Sequence, residues 1–188
     1  MSKFDEEDII RRLREPREKR RAFEAVVNQY SRTLYWQIRH MVQNHDDTDD
    51  ILQNTLLKAW RSIDGFAGDS KLSTWLYRIA YNESITFLKQ QRETLSLDAD
   101  GDDNDEGGTN SYAMQIESDE YIDGDKTQLL LQQAIALLPA KQKAVFTMKY
   151  FDEMKYEDMS SVTGTSVGAL KASYHLAVEK ITKFFKAI

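Results

Sequence analysis

In the stretch LSTWLYRIAYNESITFLKQQR, residues 72–92, Tyr77 and Tyr81 stand four residues apart and fall with Ile85 and Leu88 on a side of the helix that its own apolar stripe does not use. That stripe is Leu72, Trp75, Leu76, Ile79, Ala80 and Phe87, and Arg78, Asn82 and Lys89 run along one edge. Rings beside cations on a wet face suit unstacked nucleic-acid bases, because every base presents a π-face and every nucleotide a phosphate. Upstream, in DDTDDILQNTLLKAW, the residues Asp50, Gln53, Asn54, Leu57 and Arg61 lie opposite an inward stripe of Leu52, Thr55, Leu56, Ala59, Trp60 and Ile63. An apolar Leu57 ringed by polar groups suits docking of another protein. A third set lies near the C-terminus, where Lys171 and Ser173 suit phosphates and Ala172, His175 and Leu176 suit base edges.

Each set also has a plainer reading. Asp46, Asp47, Asp49 and Asp50 precede or open a helix, where free N–H groups favour negative charge as a cap. Outward tyrosines are commonly washed by solvent or covered by a neighbouring helix, and His175 is equally compatible with simple exposure. Enzymatic chemistry finds no constellation. The histidines His40, His45 and His175 are scattered, cysteine is absent, and no Gly-rich phosphate loop occurs. The Asp-rich run DADGDDNDEGG does not deliver calcium ligands at EF-hand spacing, so no metal or cofactor is expected.

The elements that must position these side chains are helices. Residues 3–15 form a short one, and Pro16 marks a break and a fresh start. Phe23, Val26, Val27, Tyr30, Leu34, Ile38 and Met41 then recur three or four apart until the pattern stops near Asn44. The two helices already described complete a bundle over residues 1–92. From Glu93 to Asp125 there are twelve acidic residues and no Lys or Arg, too charged and too poor in apolar groups to collapse, which predicts a flexible acidic linker. Residues 126–188 resume helical patterning. Leu129 to Leu138 is one helix, Pro139 starts the next, and helix, tight turn at Thr163-Gly164-Thr165 and helix follow, with Ser166 as the cap. The last pair is a helix-turn-helix, whose second helix enters the major groove and carries Val167, Leu170, Tyr174, Ala177, Val178 and Ile181 inward, with Gly168, Ala172, His175, Leu176 and Glu179 outward. The expected fold is all-α: an N-terminal helical bundle and a C-terminal four-helix domain joined by the linker.

Charge follows the same division. The chain carries a net −6, yet outside residues 93–125 it holds 25 basic and 19 acidic side chains. Two mildly basic units flanking an acidic tether are compatible with nucleic-acid binding. No apolar run approaches the roughly 20 residues that span a bilayer, and the charged start MSKFDEEDIIRRLRE lacks a secretory core, which predicts a protein that stays in the cytoplasm.

At this point the residues resemble the sigma factors of bacterial RNA polymerase, specifically the extracytoplasmic-function (ECF) branch of the sigma-70 family. DDTDDILQNTLLKAW looks like the family's clamp-binding segment, STWLYRIAYN like its promoter-melting segment, and LLPAKQKAVFTMKYFDEMKYEDMSSVTGTSVGALKASYHLAVEKI like its C-terminal DNA-binding region. The resemblance implies that Asp49, Asp50, Gln53, Asn54 and Leu57 bind the β′ clamp coiled coil of core RNA polymerase. It implies that the loop Gly65 to Ser73, with Trp75, Tyr77, Arg78, Tyr81, Asn82 and Lys89, holds the opened minus-ten element. Minus-thirty-five duplex would be read by Ser166, Gly168, Lys171, Ala172, Ser173, His175 and Leu176. The β flap and an anti-sigma protein are further implied partners. Ser173 and Leu176 stand where the family commonly has Arg, Ala169 where it has Thr, and Asn54 where it has Glu, so no promoter sequence transfers. The alternative is a helix-turn-helix regulator acting on duplex DNA alone, which leaves Leu57 and the tyrosines unexplained.

Overall fold

The computed structural model describes residues 4–98 and 126–188, and all regular secondary structure in them is helical. Helix α1 (Glu6–Leu13) starts because the Asp5 carboxylate accepts the backbone N–H groups of Glu7 and Asp8, and it buries Ile9 and Leu13. Pro16 lies in the turn before α2 (Lys19–Val42). That helix ends at Gln43, whose left-handed backbone (φ 63°) turns the chain, and Asn44 caps the next helix by accepting the Asp47 N–H at 3.0 Å. The cap of α3 (His45–Ser62) is therefore Asn44; Asp46 and Asp47 sit in the first turn, and Asp49 and Asp50 are left exposed beyond it. A single 3₁₀ turn (Ile63–Gly65) and a loop lead into α4 (Leu72–Asp98).

That last boundary departs from the sequence reading. Helix α4 runs six residues past Arg92 into the expected linker, because Glu93, Leu95 and Leu97 are good helix formers whose tendency was averaged away by the Asp- and Gly-rich residues that follow. The remainder of the expected linker, 99–125, lies outside the described residues. After it come α5 (Lys126–Ala136), α6 (Ala140–Tyr150), α7 (Tyr156–Thr163) and α8 (Val167–Ala187). Gly164 (φ 69°) takes the left-handed conformation that ends α7 with little steric cost, and Ser166 Oγ accepts the Ala169 N–H to open α8.

Helices α1 to α4 close around Val26, Leu34, Ile38, Met41, Leu72 and Leu76, all buried; each such side chain contributes about 1.5–3 kcal/mol of hydrophobic stabilisation. In the second half, Ile135, Leu138, Phe146, Ala177 and Ile181 form one apolar cluster, and Met148, Met159, Val162 and Leu170 form another. The second cluster is completed from the first half of the chain by Tyr77 and Tyr81. Helix α4 accordingly packs on α7, and α2 packs on α6.

Candidate functional site

The expected docking face lies on α3. Asp49, Asp50, Gln53, Asn54 and Leu57 are all exposed, and Leu57 shows 47% of its surface to solvent. The inward stripe beneath them is Thr48, Ile51, Thr55 and Ala59, with Leu52 and Leu56 half-buried. Trp60, expected inside, is instead 37% exposed at the rim: its ring meets Phe23 edge-on at 5.1 Å and carries the Lys19 ammonium at 5.0 Å. An indole is large enough to cover a neighbour without being engulfed.

The tyrosine face on α4 is not wet. Tyr77 and Tyr81 are half-buried between the first core and the α6–α7 cluster, and Ile85 and Leu88 are half-buried against the first core. Burial pushes both phenols above their ordinary range, and for Tyr77 the carboxyl of Asp152 adds to the effect. Arg78 reaches across the seam and donates from Nε and Nη2 to the Ser161 carbonyl at 2.9 and 2.5 Å. That carbonyl is in the last turn of α7, where main-chain oxygens lack helical partners and the helix dipole is negative, so a guanidinium suits it. Ser73 and Trp75 are half-buried, whereas Asn82 and Lys89 remain exposed. The expectation of an outward aromatic strip is thus corrected: Ile85 and Leu88 pack on the first core, and Tyr77 and Tyr81 are shared between that core and the second unit.

Other contacts fasten the same seam. The His40 ring stacks on Phe151 with centroids 4.0 Å apart, and Gln43 Nε2 donates to the carbonyl and the side-chain oxygen of Gln132 at 3.0 and 3.1 Å. Burial, with Arg39 nearby, lowers the His40 imidazole to about 4, and burial raises the Asp152 carboxyl to about 7. Neither was singled out from sequence, since nothing local to residues 40 or 152 announces a partner so distant in the chain. Beside the loop that precedes α4, a groove of about 250 Å³ is lined by Ile10, Leu13, Arg14, Ile63, Asp64 and Phe66.

On α8, Ser166, Gly168, Lys171, Ala172, His175 and Leu176 are exposed and Ser173 is half-buried. Lys171 Nζ lies 5.6 Å from the Tyr156 ring centroid, and His175 Nε2 is 3.6 Å from Glu179. Leu170, Ala177 and Ile181 face inward as expected, but Val178 is 36% exposed. Among the described residues no helix is long and apolar enough to cross a membrane.

The described residues thus form a helical bundle with a bare, polar-ringed Leu57 and a second helical unit ending in a helix-turn-helix. Comparison with known proteins specifies the family. The family model for sigma-70 region 2 matches residues 26–94, and that for sigma-70 region 4 matches residues 128–181. The chain is 31% identical over 169 residues to the ECF RNA polymerase sigma factor SigW of Bacillus subtilis, covering 86% of this chain and 88% of that protein. It is 28% identical over 185 residues to the RNA polymerase sigma-H factor of Pseudomonas aeruginosa, covering 97% and 95%. Among solved structures, CnrH in complex with the cytosolic domain of CnrY shares the fold at 18% identity, with 97% of both chains covered and a TM-score of 0.68. The sigma factor RpoE of Bartonella quintana, solved with the anti-sigma factor NepR, shares it at 21% identity, with 87% and 96% covered and a TM-score of 0.62. The chain belongs to the sigma-70 family, as an RNA polymerase sigma factor of the ECF branch. It therefore acts in promoter-directed transcription initiation with core RNA polymerase, and the family is one of non-catalytic initiation factors.

Proposed function

We propose how the family's activity is distributed over this chain. The α3 face of Asp49, Asp50, Gln53, Asn54 and Leu57 binds the clamp of core polymerase. The loop Gly65 to Ser73, with Ser73, Trp75, Tyr77, Arg78, Tyr81, Asn82 and Lys89, holds the opened non-template strand of the minus-ten element. Ser166, Gly168, Lys171, Ala172, Ser173, His175 and Leu176 read minus-thirty-five duplex. The working units are residues 1–92, extended by α4 to Asp98, and 126–188, with 99–125 of the expected linker 93–125 between them. No bond is made or broken by this chain: extruding a base costs a few kcal/mol, which stacking worth about 1–3 kcal/mol per base offsets, so melting is captured rather than catalysed. The chain works in the cytoplasm with the polymerase, and an anti-sigma protein is a further partner implied by family.

The observation that carries this reading is the pairing, in one chain, of an exposed Leu57 within a polar ring on α3 and an exposed Lys171–Leu176 face on α8. A regulator confined to duplex DNA has use for only the second. The seam adds a condition. Tyr77, Arg78 and Tyr81 meet α7 in this structure, so the two units part before a strand is captured. Pull-down with purified core polymerase tests the docking face: Leu57→Asp abolishes binding while the melting temperature stays within about a degree or two, as for a surface change. Unaltered affinity for core would remove α3 as the docking surface.

A further inference from the structure

Helix α4 begins after a residue whose side chain cannot cap it. Lys71, the residue before its first helical position, has no side-chain acceptor, yet the helix starts sharply at a fully buried Leu72. The missing acceptor comes from a different part of the chain. Glu6, in the first turn of α1, places Oε1 at 2.7 Å from the Leu72 backbone nitrogen, 66 residues away in sequence. Its other oxygen accepts the Tyr30 hydroxyl at 3.4 Å, and Phe4 packs edge-on against the Tyr30 ring at 5.5 Å. The Tyr30 phenol is pushed up to about 12, by burial first and then by Glu6, so it remains a donor at any working pH. Glu6 is itself held in place. Ile9 and Leu13 anchor α1 in the first core, Arg12 Nε bonds Glu18 at 2.7 Å in the turn that follows, and Lys19 binds Asp64 at 2.7 Å just ahead of the loop.

We infer that Glu6 is a positioning residue for strand capture: by capping α4 from α1 it fixes the end of the preceding loop, at Lys71, and the orientation of the first helical turn, which carries Ser73 and Trp75. This rests on the reading that loop and helix hold the opened strand. The physical reason is that an uncapped first turn frays, and fraying here lets the Leu72 N–H, the junction between loop and helix, drift from the position that aims Trp75. Residues 4–13 are then part of the strand-capture apparatus although they contact neither base nor phosphate in this account.

The test compares full-length protein with Glu6→Ala and Glu6→Gln in holoenzyme, on a duplex promoter recovered by the unaltered holoenzyme from a randomised library. The rate of strand opening is read by a fluorescent base analogue in the minus-ten element, and core affinity is measured in parallel. Glu6→Ala slows opening by about twofold to thirtyfold, the range that corresponds to loss of a helix cap, with core affinity unchanged. Glu6→Gln, which keeps an oxygen to accept the Leu72 N–H, stays close to the unaltered protein. Unchanged opening in Glu6→Ala would overturn the inference. So would core affinity falling in step with opening, which marks a general loss of structure, or a Gln variant as slow as the Ala variant, which removes the acceptor argument. Trp75→Ala run alongside separates the two levels. If Trp75→Ala slows opening and Glu6→Ala does not, only the positioning role fails; if neither does, the strand-capture reading fails.

Discussion

Replacing Arg78 by alanine loosens the seam between the two halves. Arg78 gives two N–H groups to one carbonyl, that of Ser161, at 2.9 and 2.5 Å, in the last turn of α7. A hydrogen bond from a charged donor contributes about 1.5–3 kcal/mol when shielded, but this guanidinium is exposed, and solvent screening brings the figure to about 1 kcal/mol. The closed-to-open ratio of the free protein then falls about fivefold. The His40–Phe151 stack, the Gln43–Gln132 bonds and the burial of Tyr77 and Tyr81 remain, so the variant still closes, less often. Because the chain has no cysteine, Glu24→Cys and Lys183→Cys on opposite halves accept a dye pair without background labelling, and single-molecule energy transfer reads the two populations. Transcription is the wrong readout, since Arg78 is also assigned to the opened strand and its loss acts on both. An unchanged population in the free variant would refute the energetic argument. A closed population persisting in holoenzyme on a melted promoter would refute the idea that the seam covers the strand-capture face.

Four further outcomes are expected. Burial raises the Asp152 pKa to about 7, so closure loses support as pH climbs from about 4 to 7; Asp152→Asn, which cannot ionise, shifts the dye-pair populations toward closed at pH 8 and little at pH 4. The neutral His40, lowered to about 4, works in the other direction, opposing closure as pH falls from about 6.5, so the unaltered protein shows a nearly flat dependence between those limits and His40→Gln steepens it. On duplex DNA, Lys171→Ala weakens binding to all sequences and lowers the salt slope by about 1, whereas His175→Ala changes the preferred minus-thirty-five sequence in a binding selection. Finally, Tyr77→Ala with Tyr81→Ala slows promoter opening more than closed-complex formation, read by opening kinetics against duplex binding; equal loss in both steps removes the stacking role.

How far the sequence could be read depended on which interactions were local. The exposure of Leu57 and its polar neighbours on α3 and of the outward residues of α8 followed from periodicity, because a helix of one bundle hides one stripe and bares the rest. The same rule failed for Tyr77 and Tyr81, whose far side is buried by α7, since periodicity reports the faces of a helix and not how many partners it has. Trp60 and Val178 sit at stripe edges, where a shift of one position changes exposure. The Glu6 cap joins residues 66 apart, and its one sequence trace was a helix start at Leu72 preceded by Lys71 instead of an acceptor. Asp152 and His40 owe their shifted titration chiefly to burial, with Arg39 adding to the effect at His40, and burial is set by the fold and not by any one window along the chain.

The central claim is that this chain gives core polymerase its choice of promoter by gripping the enzyme with one half and DNA with both. Transcription in vitro with purified core polymerase on a randomised promoter library measures that directly. The account predicts initiation from a small set of templates sharing two spaced elements, lost with Leu57→Asp. Transcripts no more selective than those of core alone would contradict it.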